Sequence, residues 1–197
     1  MSDYIDIHTH NFTARHTELR AEGIHPWRAE EVELENICDK IFSEAEAIGE
    51  IGLDYACNID RAKQERVFCR QLEIAERLKK PVVLHCVKAF EPTMNILLRY
   101  SLKAVVFHCF IGSKEQAEAA LKRGYYLAFG DRTQHSPKTI EALRITPLSQ
   151  LFVETDESDR PIEDMYREIA LLRGVTIEEL VAATRENWNR IFNKADE

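Results

Sequence analysis

An α/β fold of the TIM-type barrel class is what this sequence predicts, on three observations. Short apolar strands alternate with amphipathic helices along the chain, the pattern of βα units and a parallel sheet. The first strand runs into HTHNFTAR without a glycine, so the phosphate loop that announces an open doubly wound sheet is missing. Polar side chains recur at the carboxyl ends of strands, where a barrel gathers its functional groups. These are His8 and His10, Glu50 of AIGE, His85 of PVVLH, His108 of AVVFH and Asp156 of LFVETD.

Seven strands are expected, over residues 4–8, 17–24, 47–51, 81–86, 103–109, 125–130 and 151–155. Between the second and third, Leu34, Ile37, Cys38, Ile41, Phe42 and Ala45 follow the 3, 4 spacing of a buried stripe, which predicts a helix over 30–47 with a solvated acidic face. A second stripe, Phe68, Leu72, Ala75 and Leu78, predicts a helix over 61–80, with Lys79 and Lys80 as its solvated end. Further helix starts are marked by Ser113 with Gln116, Ser136 before Pro137, and Thr176 with Glu179.

At 197 residues and 45% hydrophobic content the chain is expected to form one domain, 1–197, around one core. No apolar run reaches a membrane span and MSDYIDIHTH lacks a basic and apolar leader, so a soluble, cytoplasmic protein is expected. Five cysteines, at 38, 57, 69, 86 and 109, contain no CxxC pair and read as reduced, mostly buried thiols. The net charge of −8 repels nucleic acid, so any polyanion that binds needs a locally positive site.

Histidines two apart on a strand point to one face, which makes His8 and His10 half of a metal site or two hydrogen-bonded structural residues. Glu50 and Asp156 each have the alternative of a cap or an ion pair. The set is what carries the metal reading: four neutral imidazoles and two carboxylates sum to about −2, which two divalent ions would turn to about +2. Alternation that points His85 and His108 inward turns Cys86 and Cys109 outward against the helix layer.

HxH in the first strand, GIHPW at 23–27, GEIGLDY at 49–55, QLEIAERLKKPVVLHC at 71–86, HCFIGS at 108–113 and ETD at 154–156 together resemble the TatD family of metal-dependent deoxyribonucleases, TIM barrels of the amidohydrolase type. The resemblance implies that His8, His10 and Asp156 hold one metal, His85 and His108 another, and that Glu50 serves both. It also implies His25 near the substrate phosphate and Glu154 behind Asp156. Two departures stand out. Only 14 residues separate His10 from His25, where the family usually has a helix, a strand and a second helix, so the second βα unit is missing and a seven-stranded or gapped barrel is expected. After ETD stand Glu157, Ser158 and Asp159, where the family often has a small residue and proline.

The mechanism that fits is two-metal activation of water, with Asp156 and Glu50 as the catalytic carboxylates and magnesium, manganese or zinc as the ions. Three functions follow: a phosphodiesterase acting on single-stranded DNA ends, with DNA as a transient partner; an esterase, lactonase or deacylase using the same centre on a carbonyl; or a metal-binding scaffold. No basic stripe or aromatic series for holding a strand is visible, and no membrane or obligate protein partner is indicated. Trp27 reads either as a base-stacking residue at the site or as packing under a loop. Trp188 reads as core, His16 and His135 as loop residues, and Asp54 and Tyr55 as supports of the Glu50 loop.

Overall fold

The structure, a computed structural model, describes residues 3–193. In chain order its elements are β1 (Ile5–Asp6), β2 (Thr17–Glu18), β3 (Ala21–Glu22), α1 (Asp39–Phe42), β4 (Ala47–Asp54), α2 (Arg61–Leu78), β5 (Val82–Val87), α3 (Phe90–Leu97), β6 (Val105–Phe107), α4 (Lys114–Leu121), β7 (Tyr126–Phe129), α5 (Pro137–Ile145), β8 (Leu151–Val153), α6 (Ile162–Arg173) and α7 (Ile177–Phe192). Among the described residues eight strands thus arise from the seven expected segments, because the stretch over 17–24 carries two short ones. The alternation of strand and helix is that of an α/β fold of the TIM type.

Two compact units are present, a central one from residues 20–107 and a terminal one from residues 1–19 with 108–197. In the central unit β3, β4, β5 and β6 pair in that order, all parallel. Ile48, Ile51, Leu53, Val82 to Leu84 and Val105 to Phe107 are buried there, against Phe68, Leu72 and Ala75 of α2. The α2 stripe therefore does what its spacing predicts. Asp60 caps the helix by accepting from Lys63 N, and Lys79 closes it in the left-handed conformation.

The helix expected over 30–47 does not form; only the four residues of α1 are helical, with one 3-10 turn at Leu34–Asn36. Ile37, Phe42 and Ala45 are buried as the spacing requires, but Cys38 and Ile41 are exposed. The backbone carbonyls explain the difference. Arg70 Nε donates to Ile37 O, and Lys80 Nζ donates to the carbonyls of Phe42, Ser43 and Ala45, groups that a continuing helix would offer to its own amides. Lys80 is accordingly half-buried and tied down, not the solvated helix end expected of it.

In the terminal unit β1 pairs with β2 and β7 with β8, both parallel. Ile7 N donates to Val153 O, which sets β1 beside β8. The buried phenol of Tyr166 on α6 accepts from Ile5 N and donates to Ile5 O, so it satisfies a strand whose own ladder is short. Capping boxes at Ser113 with Gln116 and Thr176 with Glu179 start α4 and α7, and Ser136 caps α5 at Pro137, as the sequence indicates.

Gly52 fixes how closely β4 and β5 approach. Its φ is +141°, and a Cβ there would stand 2.1 Å from His85 O. Gly174, with φ +73° at the end of α6, has open space around it. Gly174→Ala is expected to cost about 1–2 kcal/mol, the left-handed penalty alone. Gly52→Ala adds an overlap with backbone and is expected to cost ~3 kcal/mol or more in urea unfolding. Equal losses at the two positions would contradict the close approach.

Candidate metal centre

In the terminal unit, β1 ends at Asp6 and the chain continues to an isolated parallel bridge between Thr9 and Asp156. Asp156 N donates to His8 O at 3.0 Å, and His10 N donates to Asp156 O at 3.1 Å. This pairing sets the two histidines and the aspartate against one another. His8 Nε2 and His10 Nε2 each lie 3.7 Å from the same oxygen, Asp156 Oδ1. That is too long for a hydrogen bond. It suits ligands of one ion, whose bonds of about 2.0–2.2 Å bring donor atoms to such separations. His108 stacks obliquely on His8, ring centroids 4.4 Å apart.

Glu154 lies almost fully buried beside them. Its carboxylate accepts from Cys109 N, in the loop after β6, and faces His108 Nδ1 at 3.9 Å. Cys109 departs from the expected alternation. β6 ends at Phe107, and Cys109 takes a positive φ of 41°, which brings it into the lining of a cleft of about 200 Å³ instead of against the helix layer. Phe110, Ile111, Arg132, Asp156, Glu157 and Ser158 line the same cleft. Burial pushes the Cys109 thiol well above its ordinary pKa, helped by Glu154 and Asp156, so it is a neutral wall residue. Cys86 does face a helix: its Sγ donates to Thr93 Oγ1 of α3, and burial raises its pKa to about 11.

Beneath the His8, His10 and Asp156 group lies a polar network that the sequence did not reveal. Asp6, 1% exposed, accepts from Thr155 N at 3.1 Å and from Thr155 Oγ1 at 2.7 Å, next to Asp156. His16 Nε2 stands between Asp6 Oδ2 at 3.7 Å and Glu18 Oε1 at 3.3 Å, its side chain 8% exposed. His16 is a loop residue, as expected, but one whose side chain is buried between two carboxylates. Its pKa is raised, chiefly by the Asp6 carboxylate, against burial, with Glu18 and Glu163 adding to the rise. Burial alone would raise Glu18, but bonds from Thr13 Oγ1, Thr13 N and Ala14 N outweigh it and lower its pKa.

The central unit carries a second group, His25, Glu50 and His85, whose donor atoms lie within 4.8 Å of one another. Glu50 and His85 come from the adjacent strands β4 and β5, and His25 from the turn after β3. His85 Nδ1 faces Glu50 Oε2 at 3.3 Å, and its Nε2 faces Asp54 Oδ2 at the same distance. A carboxylate behind a ligating imidazole fixes its tautomer: a proton on Nε2 leaves the Nδ1 lone pair directed to the Glu50 side. His25 is the opposite case. Its Nδ1 accepts from Trp27 N at 3.2 Å, so in the neutral ring the proton sits on Nε2, 3.7 Å from Glu50 Oε2. Within the group Glu50 and His85 fit as ligands, and His25 is a hydrogen-bond donor beside them.

Asp54 is 3% exposed and the hub of this group. Trp27 Nε1 donates to its Oδ2 at 2.6 Å and Ala56 N to its Oδ1 at 2.8 Å. Burial would raise its pKa, but those bonds and His85 hold it below the ordinary carboxylate value. Although Glu50 and His85 sit within β4 and β5 and not at their ends, every ligand candidate singled out in the sequence thus lies in one of the groups described above or against one. Asp54 and His16, given minor parts there, prove to be the buried anchors.

Comparison with known proteins agrees with this chemistry. A sequence model of the family described as TatD related DNase matches residues 14–193. An Escherichia coli K12 protein named as the uncharacterized metal-dependent hydrolase YcfH is 31% identical over 165 residues, 75% of this chain and 62% of that protein. A 3'-5' ssDNA/RNA exonuclease TatD from Erwinia tasmaniensis is 32% identical over 198 residues, covering 87% of this chain and 76% of the relative. Among solved structures, the TatD homologue YJJV from Escherichia coli K12 superposes with a TM-score of 0.80 at 26% identity, over 90% of this chain and 78% of that one. The chain spans less than two thirds of YcfH and of its Bacillus subtilis relative YabD, 62% and 64%. Among the described residues no helix is long and apolar enough to cross a membrane.

The His16 arrangement makes stability depend on pH in a defined direction. Because the folded pKa is raised, the stabilisation is complete below the ordinary histidine value of 6.5 and is lost as pH rises through the folded value. His16→Gln is expected to cost about 1–3 kcal/mol in urea unfolding near pH 6. The gap from the parent protein should narrow toward about pH 9. A gap that widens with pH would show that His16 is buried neutral.

Proposed function

Since the chain belongs to the TatD-related DNase family, we propose that it is a metal-dependent phosphodiesterase that cleaves single-stranded DNA from its ends, the whole of residues 1–197 serving as one hydrolase domain. The observation that carries this reading is the shared oxygen of Asp156, held at 3.7 Å from both His8 and His10, in a residue that also lines the cleft walled by Phe110, Ile111 and Ser158. In this reading His8, His10 and Asp156 hold one divalent ion, and Glu50 with His85 a second, each magnesium, manganese or zinc. Bound there, such ions supply Lewis acidity, lower the pKa of water and offset phosphate charge.

The remaining work falls to the chain. Asp156, aimed by its backbone pairing with His8 and His10, accepts the water proton and returns it to the leaving oxygen. His25 donates from Nε2 to a non-bridging phosphate oxygen, a contact that strengthens as charge builds there. His108, its ring 4.4 Å from that of His8, serves as a further metal ligand, with Glu154 behind it at 3.9 Å from Nδ1. The small cleft favours a strand end or a flexible single strand over the middle of a duplex. The five reduced thiols suit the cytoplasm as the working compartment.

Metal-stripped protein should not release nucleotides from single-stranded DNA, and restoring magnesium, manganese or zinc should recover the activity. Asp156→Asn is expected to lose roughly 10²–10⁴-fold in kcat at unchanged folding. Cleavage that survives both chelation and the substitution would overturn the reading. Hydrolysis of carboxylic esters with none of DNA would redirect it to carbonyl substrates.

A further inference from the structure

Trp27 is 54% exposed, yet its ring is not loose. It sits in the 3-10 turn Pro26–Arg28, its indole N–H donates at 2.6 Å to the buried carboxylate of Asp54, and its ring meets His25 edge-on with centroids 4.7 Å apart. A charge-assisted bond of that length fixes both the tilt and the edge of the indole. Exposed apolar side chains scattered singly are ordinary on protein surfaces. This one differs because its polar edge is anchored inward, beside Glu50 and His85, while more than half of the residue remains in solvent.

We propose that Trp27 is a nucleobase platform: the base next to the scissile phosphate stacks on the indole and so brings its phosphate to the Nε2 proton of His25. The inference rests on the phosphodiesterase reading and names the substrate group that the site grips first. The charge of the chain supplies the reason. With 34 acidic against 26 basic residues, the surface gives a polyanion little help, and affinity has to come from a contact indifferent to charge. Base stacking on an aromatic ring is such a contact, and it tolerates any base. A pinned indole loses little further entropy when a base settles on it. Asp54 also faces His85 Nε2 at 3.3 Å, so the residue that orients the platform orients a proposed ligand as well.

The chain has two tryptophans, and Trp188 is half-buried on α7 against Phe192. In Trp188→Phe protein the fluorescence therefore reports Trp27 alone. Titration with an oligothymidylate in chelator, where cleavage is blocked, is expected to give saturable quenching. An abasic oligonucleotide of equal length and charge should bind roughly tenfold or more weakly. In the parent protein, followed by anisotropy of labelled oligonucleotides, Trp27→Ala should bring oligothymidylate down to the abasic level, and Trp27→Phe should restore most of the difference. Equal binding of base-bearing and abasic strands, or a parallel loss of both in Trp27→Ala, would overturn the platform. Cleavage by the metal-restored parent separates the two readings: strand cleavage without base discrimination refutes the platform alone, and no binding or cleavage of either strand refutes both.

Discussion

The arrangement of the terminal unit turns on one buried carboxylate. Asp6 is almost completely removed from solvent, where an unpaired charge would cost several kcal/mol. Its two oxygens are satisfied by the amide and hydroxyl of Thr155, and His16 faces it from the segment after the HxH strand. The Thr155 hydroxyl, its own proton directed to Asp6, also accepts from Thr9 Oγ1 at 2.9 Å. These bonds tie the residues flanking Asp156 to those flanking His8 and His10. The 3.7 Å distances to Asp156 Oδ1 follow from that lock, since a slip of one residue between the two strand ends would turn the side chains to the other face.

The central unit solves the same problem with different residues. Asp54 is the buried carboxylate there, satisfied by the Trp27 indole and the Ala56 amide and directed at His85. Its backbone is held as well, for Gln64 Oε1 accepts from Asp54 N and Gln64 Nε2 donates to Asp54 O. Both groups therefore consist of an imidazole-rich outer layer on a carboxylate that carries its own hydrogen bonds. Outer partners of this kind set ligand orientation and basicity.

The fold was legible in the sequence wherever burial and backbone pairing agree. In α2 the stripe of Phe68, Leu72 and Ala75 coincides with an uninterrupted helix, and cap residues at 113, 136 and 176 each start the helix they announce. Over 30–47 the same periodicity misled, because it records which side chains are buried and not where the carbonyls find donors; Lys80 and Arg70, 35 and more residues away in most of these bonds, claim them. The ligand candidates were legible as polar residues within or just after apolar runs, although Glu50 and His85 lie inside β4 and β5, which continue to Asp54 and Val87 instead of ending where the sequence suggests. Asp6 and His16 were not: what pairs Asp6 with Thr155, 149 residues on, is visible only after folding. Cys109 escaped the alternation rule because its strand had already ended.

Residue type alone also fails to separate His25 from His85, and here the far nitrogen decides. Asp54 holds a proton on His85 Nε2 and leaves Nδ1 to a metal, whereas the Trp27 amide occupies His25 Nδ1 and leaves a proton on Nε2. One imidazole directs a lone pair to the Glu50 side, and its neighbour carries its proton on Nε2. Both assignments trace to a single residue, for the backbone N–H of Trp27 fixes the first ring and its indole N–H meets the carboxylate behind the second. The device is built from β4, β5 and the turn after β3 alone, all of which follow the short segment between His10 and His25 in the chain. What that turn and the two strands carry is the set of contacts that gives each of the two histidines its proton.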